Sequence, residues 1–253
     1  MGKVIAFANQ KGGVGKTTSA VNVAAALGYI GKAVLLIDCD PQGNSTSGVG
    51  IRKKDVRMTT YDAVIGRAKP SECIIATKYK NLSVMPATMS LAGAEFELVD
   101  EEGREARLKN VCDEVKTCFD YIIIDCPPSL GILTVNSLVA ANGVIIPMQC
   151  EYYSLEGLSQ LMMSIRRVKQ SFNPELEITG LILTMFNGRL NLTMQVVEEL
   201  KKYYANKLFS TPVCRSVRLT EAPGFGQPII YYDRYCKGSL EYLKIAQELT
   251  ERI

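Results

Sequence analysis

Short unbroken apolar runs alternate along this chain with longer amphipathic segments. The runs predict strands over residues 4–8, 34–38, 82–86, 121–125, 143–147 and 178–185. They are apolar at consecutive positions rather than at every second one, which means both faces of the sheet are covered. Helical spacing predicts helices over 19–27, 60–67, 90–99, 104–119, from 133, and over 154–172, 192–205 and 239–252. In the 104–119 segment Leu108, Val111, Cys112 and Val115 fall on one helical face. Residues 40–48 read as a polar loop, 51–80 are weakly patterned apart from the short helix, and 208–235 read as irregular. Strand–helix alternation throughout predicts an α/β fold of three layers, a mostly parallel twisted sheet flanked by helices. No linker or repeat interrupts it, so residues 1–253 are expected to form a single domain.

Composition narrows the class. Of 253 residues, 47% are hydrophobic, enough for a sizeable core, and 22% are charged. No apolar run approaches the roughly 20 residues that span a bilayer. Met1 leads straight into a strand, so the expectation is a cytoplasmic protein without a signal peptide. Eight cysteines include no C-x-x-C pair and read as reduced, mostly buried thiols. There is no histidine, which excludes histidine bases, triads and imidazole metal ligands.

The chemistry concentrates in Gln10-Lys11-Gly12-Gly13-Val14-Gly15-Lys16-Thr17-Thr18, between the first strand and the first helix. A glycine-rich turn there aims successive backbone N–H groups at one point, and the helix N-terminus adds positive potential, which together bind phosphate. Gly12, Gly13 and Gly15 let the backbone approach closely. Lys16 reaches the outer phosphates, and the Thr17 hydroxyl suits Mg²⁺. The pattern departs from a standard P-loop in having Gln10 at the first glycine position and an extra lysine, Lys11.

Ile122-Ile123-Ile124-Asp125 is a buried strand ending in a carboxylate, the arrangement that holds Mg²⁺ beside a P-loop threonine. Asp38 and Asp40 end the second strand. With no histidine available, Asp40 is the candidate for orienting the hydrolytic water, and Asp38 supports Mg²⁺ or the loop. A lysine such as Lys11, arriving from a second subunit, would neutralise charge on the transferring phosphoryl group. Net charge is only +3, yet residues 201–244 hold eight basic against three acidic side chains, a candidate polyanion surface.

Several segments together carry a family resemblance. They are Lys11–Thr18, Asp38-Cys39-Asp40-Pro41-Gln42-Gly43-Asn44, Pro86-Ala87-Thr88 with Leu91–Glu95, Asp125-Cys126-Pro127-Pro128-Ser129, Gln149-Cys150-Glu151-Tyr152-Tyr153 with Leu155–Leu158, and Val217–Pro223. With these, the chain resembles the ParA/Soj partitioning ATPases of the deviant-Walker group. The resemblance implies a weak ATPase using ATP and Mg²⁺, a nucleotide-sandwich homodimer, and DNA binding without sequence preference at the nucleoid. It also implies stimulation by a ParB-type partner, and no membrane association. It makes Lys11 the lysine acting across the dimer, Lys16 the phosphate lysine and Thr17 a Mg²⁺ ligand. Asp40 becomes the water-positioning residue and Asp125 a Mg²⁺ residue acting through water, with Gly12 to Gly15 and Thr18 in the phosphate cradle. Arg189 and Arg218 fall where relatives carry DNA-contacting arginines.

One departure concerns the adenine-side loop, where relatives have a proline two residues before Ser216. This chain has Cys214, with Pro212 nearby. A MinD-like membrane-associated ATPase is the nearest alternative. It would need a basic amphipathic tail, whereas the stretch to Ile253 reads as a packing helix. A nitrogenase-reductase-like carrier would need paired cluster cysteines, and Cys126 has no clear second.

Overall fold

The computed structural model describes residues 2–152 and 154–253. The strands are β1 Lys3–Phe7, β2 Val34–Asp38, β3 Ile75–Ala76, β4 Leu82–Met85, β5 Tyr121–Asp125, β6 Gly143–Gln149 and β7 Glu177–Thr184. They form a seven-stranded sheet in the order β3-β4-β2-β5-β1-β6-β7. Every pairing is parallel except β3 with β4. The helices are α1 Lys16–Tyr29, α2 Asn44–Gly48, α3 Thr60–Val64, α4 Ala94–Glu97, α5 Arg107–Val115 and α6 Ile132–Ala140. They continue with α7 Ser154–Ser171, α8 Asn191–Tyr204, α9 Val217–Glu221, α10 Ile229–Tyr232 and α11 Lys237–Arg252.

Two cores lie on opposite faces of the sheet. On one, Ala6, Ile37, Ile124 and Ile146 pack with Leu108, Leu138, Leu161 and Val197 from α5, α6, α7 and α8. On the other, Phe7, Leu36, Ile123 and Ile145 pack with Ala24 and Leu27 of α1 and Tyr242, Ile245 and Leu249 of α11. Burial on both sides explains why the sequence runs are apolar at consecutive positions. The helix reaching Arg252 buries Ile245, Ala246 and Leu249, so it is a packing element, as its sequence suggested. Among the described residues, no helix is long and apolar enough to cross a membrane.

The three-layer α/β expectation holds, and the differences are local. β3 is a two-residue antiparallel strand, too short to leave a pattern. The loop expected at 40–48 contains α2, and the irregular stretch contains α9 and α10 of five and four residues. None spans enough turns to show periodicity. The helix expected over 90–99 divides into a 3₁₀ turn, Met89–Gly93, and α4. The one over 104–119 begins as a 3₁₀ turn and is helical only over Arg107–Val115. Tyr153 of the Gln149–Tyr153 motif lies outside the described residues.

Strand order places the site. β1 lies between β5 and β6, and β5 lies between β1 and β2. The loops leaving β1, β2, β5 and β6 therefore meet at one edge of the sheet, outside the C-terminal ends of the strands, where α/β folds bind ligands. Asp38 and Asp125 are register partners across β2 and β5.

Candidate nucleotide site

The loop after β1 closes into α1 through two left-handed glycines, Gly13 at φ 74° and Gly15 at φ 84°. Gly15 is the residue immediately before α1, whose first turn has no side-chain cap. Its free N–H groups are the orphan donors that an anion satisfies. The loop's carbonyls are held from outside. The Thr184 hydroxyl donates to the Val14 carbonyl at 2.7 Å, and Gln149 Nε2 donates to that of Gly13 at 3.0 Å. Asn9 accepts from the Lys11 N–H at 3.0 Å and donates to the Pro147 carbonyl at 2.8 Å. Gln10, in the unusual first position, donates to the Gly157 carbonyl on α7 at 3.0 Å. The substitution of glycine by glutamine thus ties the loop to a neighbouring helix.

The two loop lysines face different partners. Lys16 is buried, and its Nζ donates to the Lys11 carbonyl at 3.2 Å. Burial lowers its pKa, opposed by the charges of Asp125 and Asp40. A desolvated ammonium held by a single carbonyl is poised to exchange it for phosphate oxygens. Lys11 is partly exposed and pairs with the Glu151 carboxylate at 2.5 Å.

The three aspartates are distinct in their surroundings. Asp38 is fully buried. Its Oδ2 accepts from both the N–H and the hydroxyl of Thr46, at 2.8 and 2.7 Å, and its Oδ1 from the Asp40 N–H at 3.2 Å. It therefore organises the loop after β2. Asp40 accepts from the Gln42 N–H at 2.9 Å, and its own carbonyl accepts from the Gly43 N–H at 2.8 Å, closing a turn. Asp125 is fully buried; Ser45 Oγ donates to its Oδ2 at 2.7 Å, while Oδ1 has no hydrogen-bond partner among the described residues. Burial raises the pKa of Asp125, reinforced by the charge of Asp38 and opposed by the hydroxyls of Ser45 and Thr17. Burial likewise raises that of Asp38. An orphaned buried carboxylate oxygen beside a threonine hydroxyl at the mouth of an anion cradle suits a hard divalent cation, which prefers oxygen ligands. Thr17 and Asp125 fit Mg²⁺ on these grounds.

A model described as an AAA domain matches residues 2–178. The sporulation initiation inhibitor protein Soj of Bacillus subtilis is 55% identical, over 99% of this chain and 99% of its own. The chromosome-partitioning ATPase Soj of Treponema pallidum is 48% identical, over 100% of this chain and 98% of its own. The chain belongs to the ParA/Soj family of partitioning ATPases. A crystal structure of cobyrinic acid a,c-diamide synthase from Mycobacterium smegmatis, with bound ATP analog and magnesium, superposes with a TM-score of 0.87. It is 34% identical, covering 99% of this chain and 95% of that one. The P-loop fold is thus common to both comparisons.

In this ParA/Soj-family chain Cys214 falls beside the cradle. A cleft of about 420 Å³ opens next to Gly15 and Thr18 and is lined by Met185, Val213, Cys214, Ser216 and Pro223. Cys214 is therefore a cleft residue. Its N–H donates to Glu241 at 3.1 Å, a bond proline could not make. A parallel bridge joins Phe186, in the loop that bears Arg189, to Cys214, in the stretch leading into α9, which bears Arg218. Both side chains are exposed; Arg218 is shared between Glu221 at 3.4 Å and Asp233 at 3.7 Å. Cys126 is buried, and burial pushes its thiol up to about 12, which makes it a neutral packing group.

Sequence reasoning passed over Ser45, Thr46 and Thr184 and gave Gln149 and Glu151 no role. Ser45 and Thr46 sit in a polar loop whose composition is a weak signal. Their partners are 80 and 8 residues away, and only the folded chain reveals them.

Proposed function

We propose that this chain is a DNA-partitioning ATPase whose ATP-bound form is a homodimer that binds DNA without sequence preference and is switched off by a ParB-type partner. The observation that carries the site reading is the orphaned Oδ1 of buried Asp125 beside Thr17. Lys16 and the N–H groups of 12–18 bind the triphosphate of ATP. Thr17 and Asp125 hold Mg²⁺, with Asp38 fixing the loop behind them. When bound, Mg²⁺ neutralises charge on the phosphates. Asp40 orients a water for attack on the γ-phosphorus, and the bond to the β-phosphate oxygen breaks as the new P–O bond forms.

Lys11 serves the other subunit. In the isolated chain it is held by Glu151, and this half-exposed pair is weak enough to be given up. Its charge then meets the partner's nucleotide across the dimer. Arg189, between β7 and α8, and Arg218, on α9, provide the phosphate-contacting surface for DNA. The names of the relatives support this reading at the level of partitioning ATPases.

The test is nucleotide-dependent DNA retention. Purified protein should stay on immobilised duplex DNA with ATP and Mg²⁺ and wash off with ADP. Retention should fall steeply with salt because bound phosphates release counterions. Retention indifferent to nucleotide would refute the switch.

A further inference from the structure

Away from the nucleotide cleft, an apolar groove of about 350 Å³ runs between the segment after α4 and the start of α6. Leu98, Val99, Leu130, Ile132, Val135 and Phe172 line it. Three of these large side chains are substantially exposed: Val99 by 52%, Leu130 by 37% and Phe172 by 50%. Phe96, beside them, is 80% exposed. Single exposed apolar residues need no explanation, but a contiguous set lining a concavity marks a binding surface.

Glu95, Arg104 and Glu105 also line the groove, and the segment that carries them gives the occupant's chemistry. Residues 95–105 contain six carboxylates, Glu95, Glu97, Asp100, Glu101, Glu102 and Glu105, against one arginine, Arg104. Glu97, Glu101 and Glu105 are paired with Arg67, Arg107 and Arg104. Glu95, Asp100 and Glu102 make no ion pair among the described residues. A negative rim repels DNA and anionic lipid, and attracts a cationic segment. The groove also borders the segment between β5 and α6. Leu130 and Ile132 lie on the stretch that leaves Asp125, and Glu95 is close enough that a Cβ on Gly131 would come within 2.8 Å of its Oε1.

We propose that this groove docks a basic amphipathic segment of another protein, with aliphatic or aromatic side chains in the groove and Lys or Arg on the rim. The helix-in-groove mode needs an apolar face of this kind with a complementary charged border. Such a segment presses on residues 130–132 and so reaches the loop that follows Asp125 without entering the nucleotide cleft. The proposal goes beyond the nucleotide reading, and failure of DNA retention leaves it untouched.

The test uses the full chain without nucleotide and a fluorescein-labelled leucine–lysine peptide of about 18 residues, five helical turns. Controls are a scrambled peptide of the same composition and one with glutamate for lysine. Saturable binding by fluorescence anisotropy is expected for the amphipathic peptide alone, weakening as salt rises. The triple change Glu95→Lys, Asp100→Lys, Glu102→Lys and the double change Val99→Ser, Phe172→Ser should each weaken binding by about tenfold or more. The charge changes are all at exposed positions, so an unchanged thermal midpoint verifies that the fold is intact. Absence of saturable binding, or equal binding by the scrambled peptide or by the charge variant, overturns the proposal. So does peptide-free self-association, seen by light scattering, that the same substitutions abolish, because the occupant would then be a second copy.

Discussion

Ser45 grips one oxygen of Asp125 and leaves the other bare: its hydroxyl donates to Oδ2 at 2.7 Å, while Oδ1 has no partner among the described residues. Ser45→Ala removes the hydrogen bond that the loop after β2 gives to Oδ2 and leaves a buried acceptor unsatisfied. The expected loss of stability is about 1–3 kcal/mol, read as a lower urea midpoint of the nucleotide-free chain. The Mg²⁺ concentration for half-maximal ATP turnover should rise as well, because the carboxylate is no longer oriented.

The buried carboxylates make the nucleotide-free protein sensitive to pH. Burial raises Asp38 to about 6 and Asp125 to about 7, from ordinary values near 3.8. Between pH 4 and pH 7 the folded chain holds more protons than the unfolded one, so these two groups lose stabilising effect as pH rises through that window. Above it their contribution is flat. Asp125→Asn removes the buried charge and should stabilise the nucleotide-free chain by roughly 1–2 kcal/mol at pH 8 while abolishing Mg²⁺-dependent turnover. Calorimetric or urea midpoints that rise with pH between 5 and 7 in the wild type, and no gain in the variant, would show that these carboxylates are not desolvated.

Asp40 has two separable parts. Its carboxylate accepts from the Gln42 N–H, and an asparagine oxygen can do the same. Asp40→Asn should preserve the turn and ATP binding, yet slow hydrolysis by about 10²-fold or more through loss of the charge. Accumulation of an ATP-bound dimer in gel filtration is the accompanying signature. Near-normal turnover would assign Asp40 to the turn alone.

Lys11→Ala should barely change stability, since an exposed ion pair such as that with Glu151 contributes about 0–1 kcal/mol. Light scattering should nevertheless show a monomer in ATP and Mg²⁺ where the wild type dimerises. A dimer that persists would place the lysine's function elsewhere.

Arg189→Glu and Arg218→Glu together should abolish DNA retention while ATP-dependent dimers remain. Single changes should weaken binding uniformly across DNA sequences and lower the slope of log affinity against log salt by about 1. Arg218→Glu also places a like charge beside Glu221 and Asp233, so its thermal midpoint must be measured alongside.

The legible part of this chain was the part with local or strongly periodic signals. Ile122 to Ile124 ending at Asp125, and the glycines and lysines after β1, specify strand, turn and helix from neighbours in sequence. The long helices α7, α8 and α11 show their buried faces in the spacing of apolar residues. What escaped was short or distant. α9 and α10 are only five and four residues, and β3 owes its conformation to pairing with β4. Thr46 holding Asp38 and Gln149 holding the Gly13 carbonyl are contacts between loops that strand order alone brings together.

The register that sets Asp38 opposite Asp125 also restricts how this protein can change over generations. Leu36, Asp38, Ile123 and Asp125 share the sheet face covered by α1, whereas Ile37, Cys39, Ile124 and Cys126 belong to the opposite core. A single-residue insertion or deletion that slid β2 by one position would rotate a carboxylate into the apolar layer beneath α5 and α6 and bring a thiol toward the phosphate loop. Length changes next to β2 must come in ways that restore the alignment. For this pair of acids, the spacing of the chain is as strictly inherited as their identity.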